Sequence, residues 1–500
     1  MSSIRLCTHN LDALDDRVDK PGYDRSAVTV GIVHFGVGGF HRSHQAMYVD
    51  RLMNEGVGLD WGICGVGVMP SDAAMKQALA AQDHLYTLVT RDGKGRHTAR
   101  VIGSIVDYLY APDEPEKVLA VLTDPQTRIV SLTVTEGGYN IDAVTGEFDT
   151  TNEEVVADAR ATDTPRTMFG FVVEALHRRR SAGVAPFTVM SCDNIEGNGN
   201  VARSSIIMFA RLRDAELAEW IDTNVAFPNS MVDRITPVTV EADIAELRDE
   251  FGIEDRWPVV CEPFTQWVLE DSFGAGRPPF ERGGVQLTDD VAPYELMKLR
   301  LLNAGHQALA YAGHLAGYVY AHDAAADPVF IDFLLGYWNE EARPTLDPVP
   351  GVNLDDYVQT LLERFTNPAI KDTIARLCAS SSDRIPKWVL PVIRANLAAG
   401  RPCERGIAIV ASWARYAEGV DERGLPIDVQ DGLHDELLAL AALQRTDPLA
   451  FVRNTRLFGD LAEQPGFTTV YQRCLDSLHA VGARQTLLDL NTALDSEHSS

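Results

Sequence analysis

Residues 30–53 read VGIVHFGVGGFHRSHQAMYVDRLM. A short run of apolar residues on consecutive positions predicts a strand buried on both faces. Three glycines follow, and then a helical pattern over Ser43–Glu55. Gly36, Gly38 and Gly39 permit a tight turn in which backbone N–H groups and the start of a helix meet a phosphate. The dinucleotide fingerprint G-x-G-x-x-G is incomplete, because its third glycine would fall at His41. The competing reading is a purely structural turn. What favours the phosphate is the turn's place, directly after the chain's first buried strand.

Working outward, further candidate strands are Gly62–Val68, Leu85–Thr90, Arg128–Thr135, Pro186–Ser191 and Trp257–Glu262. Helical patterns at Pro115–Leu122, Met168–Ala182 and Val201–Asp222 lie between them, which implies parallel pairing through βαβ crossovers. Beyond about Pro293 the texture changes to helices: Tyr294–Tyr320, Val329–Glu341, Leu354–Phe365, Pro386–Ala399, Glu404–Glu418 and Leu433–Leu443. The expected class is α/β, a Rossmann-type domain over 1–288 followed by a mainly helical domain over 289–500. The last residues, NTALDSEHSS, read as a frayed tail.

Composition narrows the function. The chain has 500 residues and a net charge of −28, which disfavours nucleic acid and anionic membranes as partners. There is no run of about 18 apolar residues to span a bilayer, and the opening MSSIRLCTHN has no apolar signal core. Seven scattered cysteines without a CxxC predict buried free thiols, no zinc site and a cytoplasmic setting. His41 and His44 are spaced like a ligand pair but lack a third ligand nearby, so no metal is expected.

Two further clusters carry chemistry. On the cofactor side, Phe40, His41 and Arg42 continue the glycine turn, Glu136 in TEGGY stands at another strand end, and Asp72 in VMPSDAAM follows the second strand. Asp72 would accept from ribose hydroxyls and repel a 2′-phosphate. No Arg or Lys lies between Met69 and Ala74, so NAD is favoured over NADP. Asp72 also reads as a helix N-cap, and the two roles are compatible. On the substrate side, Lys298, Asn303 and His306 lie on one apolar helix, at about 0°, 140° and 80° around an ideal axis. Asn194, in MSCDN at the end of a buried strand, is placed to meet a cofactor's reactive end. Solvated or core-satisfied polar groups are the alternative for Lys298, Asn303 and His306, and an ordinary turn or cap residue is the alternative for Asn194.

The motifs FGVGGFHRSHQ, TEGGYNID, MSCDN, FPNSMVDRITP, CEPFTQWVLEDSF and KLRLLNAGHQALAY together resemble the polyol-specific long-chain dehydrogenase/reductase family. They occur in family order, and the resemblance runs over nearly the whole chain. It implies a monomer that binds NAD and a small polyol or ketose, and a metal-independent oxidation of a secondary alcohol, D-mannitol to D-fructose foremost. Lys298 carries over as the catalytic base, with Asn194, Asn303 and His306 beside the substrate oxygen. Burial and the nicotinamide cation are expected to favour the neutral lysine, while Glu295 is either a proton outlet or a surface ion partner. Asp233, Arg234, Arg376 and Arg384 are candidates for remote hydroxyls, with structural ion pairs as the alternative. Where members of the family often carry a lysine ahead of IPK, this chain has Arg384. An arginine fork also suits a carboxylate, which keeps a uronate reductase, and arabinitol or sorbitol as substrates, open beside the more remote non-catalytic nicotinamide sensor.

Overall fold

The computed structural model of the chain describes residues 3–141, 146–161 and 164–498. It divides into two compact units, Met1–Ala292 and Pro293–Ser500. In the first, one sheet is built from β1 (Val30–Phe35), β2 (Gly62–Gly67), β3 (Ile105–Tyr110), β4 (Ile129–Leu132) and β5 (Thr188–Ser191). Their spatial order is β3-β2-β1-β4-β5, and every neighbouring pair is parallel. The order reverses between β1 and β4, the switch point at which dinucleotide-binding sheets hold their ligand. The predicted α/β class is what the chain adopts.

The unbroken apolar run in β1 follows from this position. Ile32 packs on one side of the sheet with Met47, Leu52 and Ile63. Val33 and Phe35 pack on the other side with Val66, Leu119 and Phe171. A central parallel strand has no solvent face, so no alternation survives in its sequence.

Two expected strands leave this sheet. Tyr86–Arg91 pairs antiparallel with His97–Ile102 and parallel with Val259–Cys261, in a separate four-stranded sheet. The hairpin turn between its first two strands is held by Asp92, whose carboxylate accepts from the N–H groups of Lys94 and Arg96, with Gly95 at φ 75°. The predicted helix 201–222 is two helices, Asn198–Arg213 and Ala215–Asn224. Asp214 divides them by accepting from the N–H groups of Glu216 and Leu217 as an N-cap.

In the second unit the helices Ala304–Leu315 and Pro465–Val481 both pack against Glu404–Tyr416, which is buried along almost its whole length. The expected frayed tail is instead helical, within Ala483–His498. Asn491 is buried there and donates to the Val329 carbonyl at 3.0 Å, which anchors the segment. The helix expected over 294–320 is also interrupted. Ala292–Lys298 runs into a π-helical stretch, Leu299–Asn303, before α-helix resumes at Ala304–Leu315. A second π-helical stretch covers Tyr337–Ala342. All seven cysteines are free, and all but Cys7 are buried.

Candidate active site

The turn after β1 is fixed by one glycine and left open at another. Gly36 has φ 91°, and a Cβ there would lie 2.1 Å from the Thr133 carbonyl oxygen on the chain after β4. Gly38 has ordinary angles, φ −99° and ψ −169°, and a Cβ there would meet only the Gly36 oxygen at 3.8 Å. The protein's own packing therefore demands glycine at 36 but not at 38. A bare backbone facing open space at the start of the helix Gly39–Ser43 fits the close approach of a pyrophosphate.

The side chains after the turn point inward. His41 and Arg42 are each 1% exposed, which leaves their backbone, not their side chains, on the open side of the turn. Arg42 donates to the Trp257 and Gly38 carbonyls and lies over the Tyr86 ring, while the Tyr86 hydroxyl donates back to the Arg42 carbonyl. It braces the turn from below. His41 stacks on His34 with centroids 3.4 Å apart. Burial pushes the His34 pKa down to about 3 and holds His41 well below the usual imidazole range, so both are neutral. Phe40 stacks on His44, whose Nε2–H donates to the Gln266 carbonyl. His41 and His44 thus serve packing.

Asp72 is the first residue of the helix Asp72–Ala80, with Ser71 at the N-cap position, so it is not the expected cap; its carboxylate instead accepts from the Met69 N–H before the helix at 2.9 Å. It also packs on the carboxyl end of β2, because a Cβ on Gly67 would lie 2.4 Å from Asp72 Cβ. This is where a ribose-reading acid stands in such folds, despite the longer spacing in sequence. At the end of β5, Asn194 is exposed. Asp193 beside it is buried and accepts from the N–H groups of Val134 and Thr135 and from the Tyr139 hydroxyl. Asn198 donates to the Asp193 and Ser230 carbonyls. Asp193, Tyr139 and Asn198 went unread in the sequence, although an acid next to Asn194 at a strand end was visible. The Glu136 side chain lies outside the described residues.

In the second unit Lys298, 7% exposed, ends its α-helix where the π-helical stretch begins. Asn303 ends that stretch, and its buried amide nitrogen has no hydrogen-bond partner. A buried unpaired donor costs free energy until an acceptor arrives. His306 stacks on Phe365, centroids 4.4 Å apart. Glu295 is buried rather than at the surface. The π-turn also replaces the ideal-helix angles: an i→i+5 pattern brings residues five apart, such as Lys298 and Asn303, nearer to one line than 140° implies.

The remote candidates divide. Asp233 is buried at the end of the strand Ser230–Asp233. Arg234 donates to the Glu262 and Ser43 carbonyls as a structural brace. Arg376, its side chain 54% exposed, forms a two-point pair with Asp372. Arg384 donates to the Arg376 and Leu377 carbonyls, and Leu377 also accepts from Gln307 on the Ala304–Leu315 helix. Among the described residues, the one cluster with metal-ligand spacing is His97, Glu246 and Glu250, none of which was a candidate.

The sequence models for the mannitol dehydrogenase Rossmann domain and the mannitol dehydrogenase C-terminal domain match residues 30–282 and 290–479. The chain belongs to the mannitol dehydrogenase family. It is 46% identical to a mannitol 2-dehydrogenase of Phaeosphaeria nodorum over 97% of this chain and 85% of that one. It is 48% identical to one of Aspergillus fumigatus over 92% and 93%. Among solved structures, a Pseudomonas fluorescens mannitol 2-dehydrogenase in ternary complex with NAD and D-mannitol matches with a TM-score of 0.89, at 46% identity over 97% of this chain and 99% of that one. A D-sorbitol dehydrogenase in substrate-free form matches with a TM-score of 0.88, at 38% identity over 96% of this chain and the whole of that one. The family assignment covers both units, which agrees with motifs spread along both.

Proposed function

We propose that the chain oxidises D-mannitol at carbon 2 to D-fructose with NAD. The observation that carries this reading is the buried Lys298 joined through a π-turn to the unpartnered Asn303 amide, in a chain of this family. Gly36, Gly38, Gly39 and the backbone at Phe40 and His41 would hold the pyrophosphate, Asp72 the ribose hydroxyls, with Glu136 beside them. NAD, when bound, supplies the acceptor for the hydride.

A lysine takes a proton only as the neutral amine, and burial favours that form. Lys298 removes the hydroxyl proton as the C–H bond gives up its electron pair. The Asn194 and Asn303 amides donate to the substrate oxygen as charge builds on it, each contribution being about 3 kcal/mol in sites of this kind. His306 orients an adjacent hydroxyl, Asp233 meets a remote one, and Glu295 passes the proton outward. Because Lys298 takes the proton and the amides stabilise the charge on the oxygen, the reaction needs no Lewis acid, and exhaustive chelation leaves activity unchanged. Loss of activity on chelation, restored by zinc, contradicts this.

Uronate reduction is disfavoured by the arginines, since Arg376 is paired with Asp372 and Arg384 already donates to two carbonyls. Sorbitol is the second reading, favoured by the D-sorbitol dehydrogenase likeness. The test is D-mannitol oxidation with NAD by wild type and Lys298→Ala. Turnover should fall by at least a thousandfold with NADH affinity within twofold, and the alkaline rise of the pH profile should vanish. Near-normal turnover in the variant removes Lys298 as the base.

A further inference from the structure

The π-turn is not held by its own backbone alone. The Ala304 N–H is shared between the carbonyls of Leu299, five residues back, and Leu301. Leu301 gains a second donor from outside the helix, the indole N–H of Trp338, at 2.8 Å. Trp338 is completely buried and itself lies in the second π-helical stretch. Its indole lies against Gly305, where a Cβ would come within 2.8 Å of Nε1 and 3.0 Å of Cζ2. On its other side Trp338 meets Phe365, centroids 5.6 Å apart, and Phe365 carries the stacked His306 ring. A side chain inserted at a ladder carbonyl is a recognised cause of local departure from α-geometry.

We infer that Trp338 is a positioning residue for the reaction: its N–H pins the Leu301 carbonyl, Gly305 makes room for it, and Phe365 transmits its position to His306. The inference rests on the reading of Lys298, Asn303 and His306 as the reacting groups. Without this pin the segment from Lys298 to His306 relaxes towards regular α-helix, which turns Lys298 and Asn303 apart. The chemical step suffers while cofactor binding does not.

The test compares Trp338→Phe, which keeps an aromatic ring but removes the donor, with Gly305→Ala, which displaces the indole from Leu301. Both should lower kcat ten- to a hundredfold with KM for D-mannitol changed less than threefold. NADH affinity should stay within twofold, and the apparent pKa of the kcat profile should move by about half a unit or more. Hydrogen exchange in the peptide containing 299–305 should quicken at least tenfold. Wild-type kcat and pH profile in either folded variant, with exchange quickened, overturn the inference; so does unchanged exchange. If Trp338→Phe does not fold, Gly305→Ala alone decides. Lys298→Ala separates the two claims: if it stays active the functional reading fails, whereas the exchange result reports on the pin itself.

Discussion

The turn at Gly36–Gly39 and the turn at Leu299–Asn303 both carry groups proposed for binding or catalysis, but they are built in opposite ways. The first is local. One residue with φ 91° and a carbonyl 2.1 Å from where its Cβ would be dictate glycine, and the requirement shows in the sequence. The second is imposed from a distance. LRLLN has no helix breaker, and its π-geometry is matched to an indole contributed by Trp338, far along the chain. A functional turn is legible when its own backbone needs a special residue, and hidden when its partner does the shaping.

Gly36→Ala should have the largest effect on the first turn. Strain at positive φ plus a clash with backbone costs about 4 kcal/mol or more, so little folded protein should be recovered by size exclusion. Gly38→Ala sharpens the contrast. Its backbone angles suit alanine and its Cβ meets open space, so the melting temperature should stay within about 2 °C, while NADH binding by fluorescence weakens tenfold or more. Normal NADH binding by the Gly38→Ala variant would show that the open backbone does not cradle phosphate.

Next in size is Asp72. With its carboxylate over the end of β2, Asp72→Ala should raise the ratio of kcat/KM for NADP to that for NAD about tenfold or more, by removing repulsion of the 2′-phosphate. An unchanged ratio leaves Asp72 with only the structural role of its bond to the Met69 N–H.

The same contrast explains what was legible. The parallel sheet was readable because strands buried on both faces, such as β1 and β2, leave unbroken apolar runs. The hairpin Tyr86–Ile102 was half missed, since His97–Ile102 mixes polar and apolar residues, with His97, Thr98 and Arg100 less buried than the rest. For His41 and Arg42 the sequence shows adjacency to the glycines but not direction; packing against His34, Tyr86 and Trp257 sends both side chains inward. Lys298, Asn303 and His306 are proposed from residue type and resemblance, whereas the π-turn that sets their spacing leaves no mark in the sequence.

The smallest expected effect is on pH. His34 is held neutral with its pKa near 3 against an ordinary 6.5. Its contribution to stability is therefore complete above pH 6.5 and lost as pH falls from there towards 3. Glu341, in the π-helical stretch beside Trp338, is the reverse case. Burial pushes it up to about 7 from 4.5, against the N–H groups of Arg405 and Gly406 that bond its carboxylate. Its contribution is complete below pH 4.5 and lost as pH rises through about 7. In calorimetric melts from pH 5 to 8.5, His34→Asn should flatten the acid side and Glu341→Gln the alkaline side, each by about 3 °C. A side left unchanged by its variant removes that assignment.

The most direct measurement is the specificity constant of the protein for D-fructose against D-fructuronate, both with NADH and at one pH. A site that reads hydroxyls with amides and an imidazole, and whose candidate arginines are already engaged, predicts D-fructose ahead by tenfold or more. A preference of tenfold or more for D-fructuronate would contradict polyol oxidation while leaving the Rossmann sheet and the family in place.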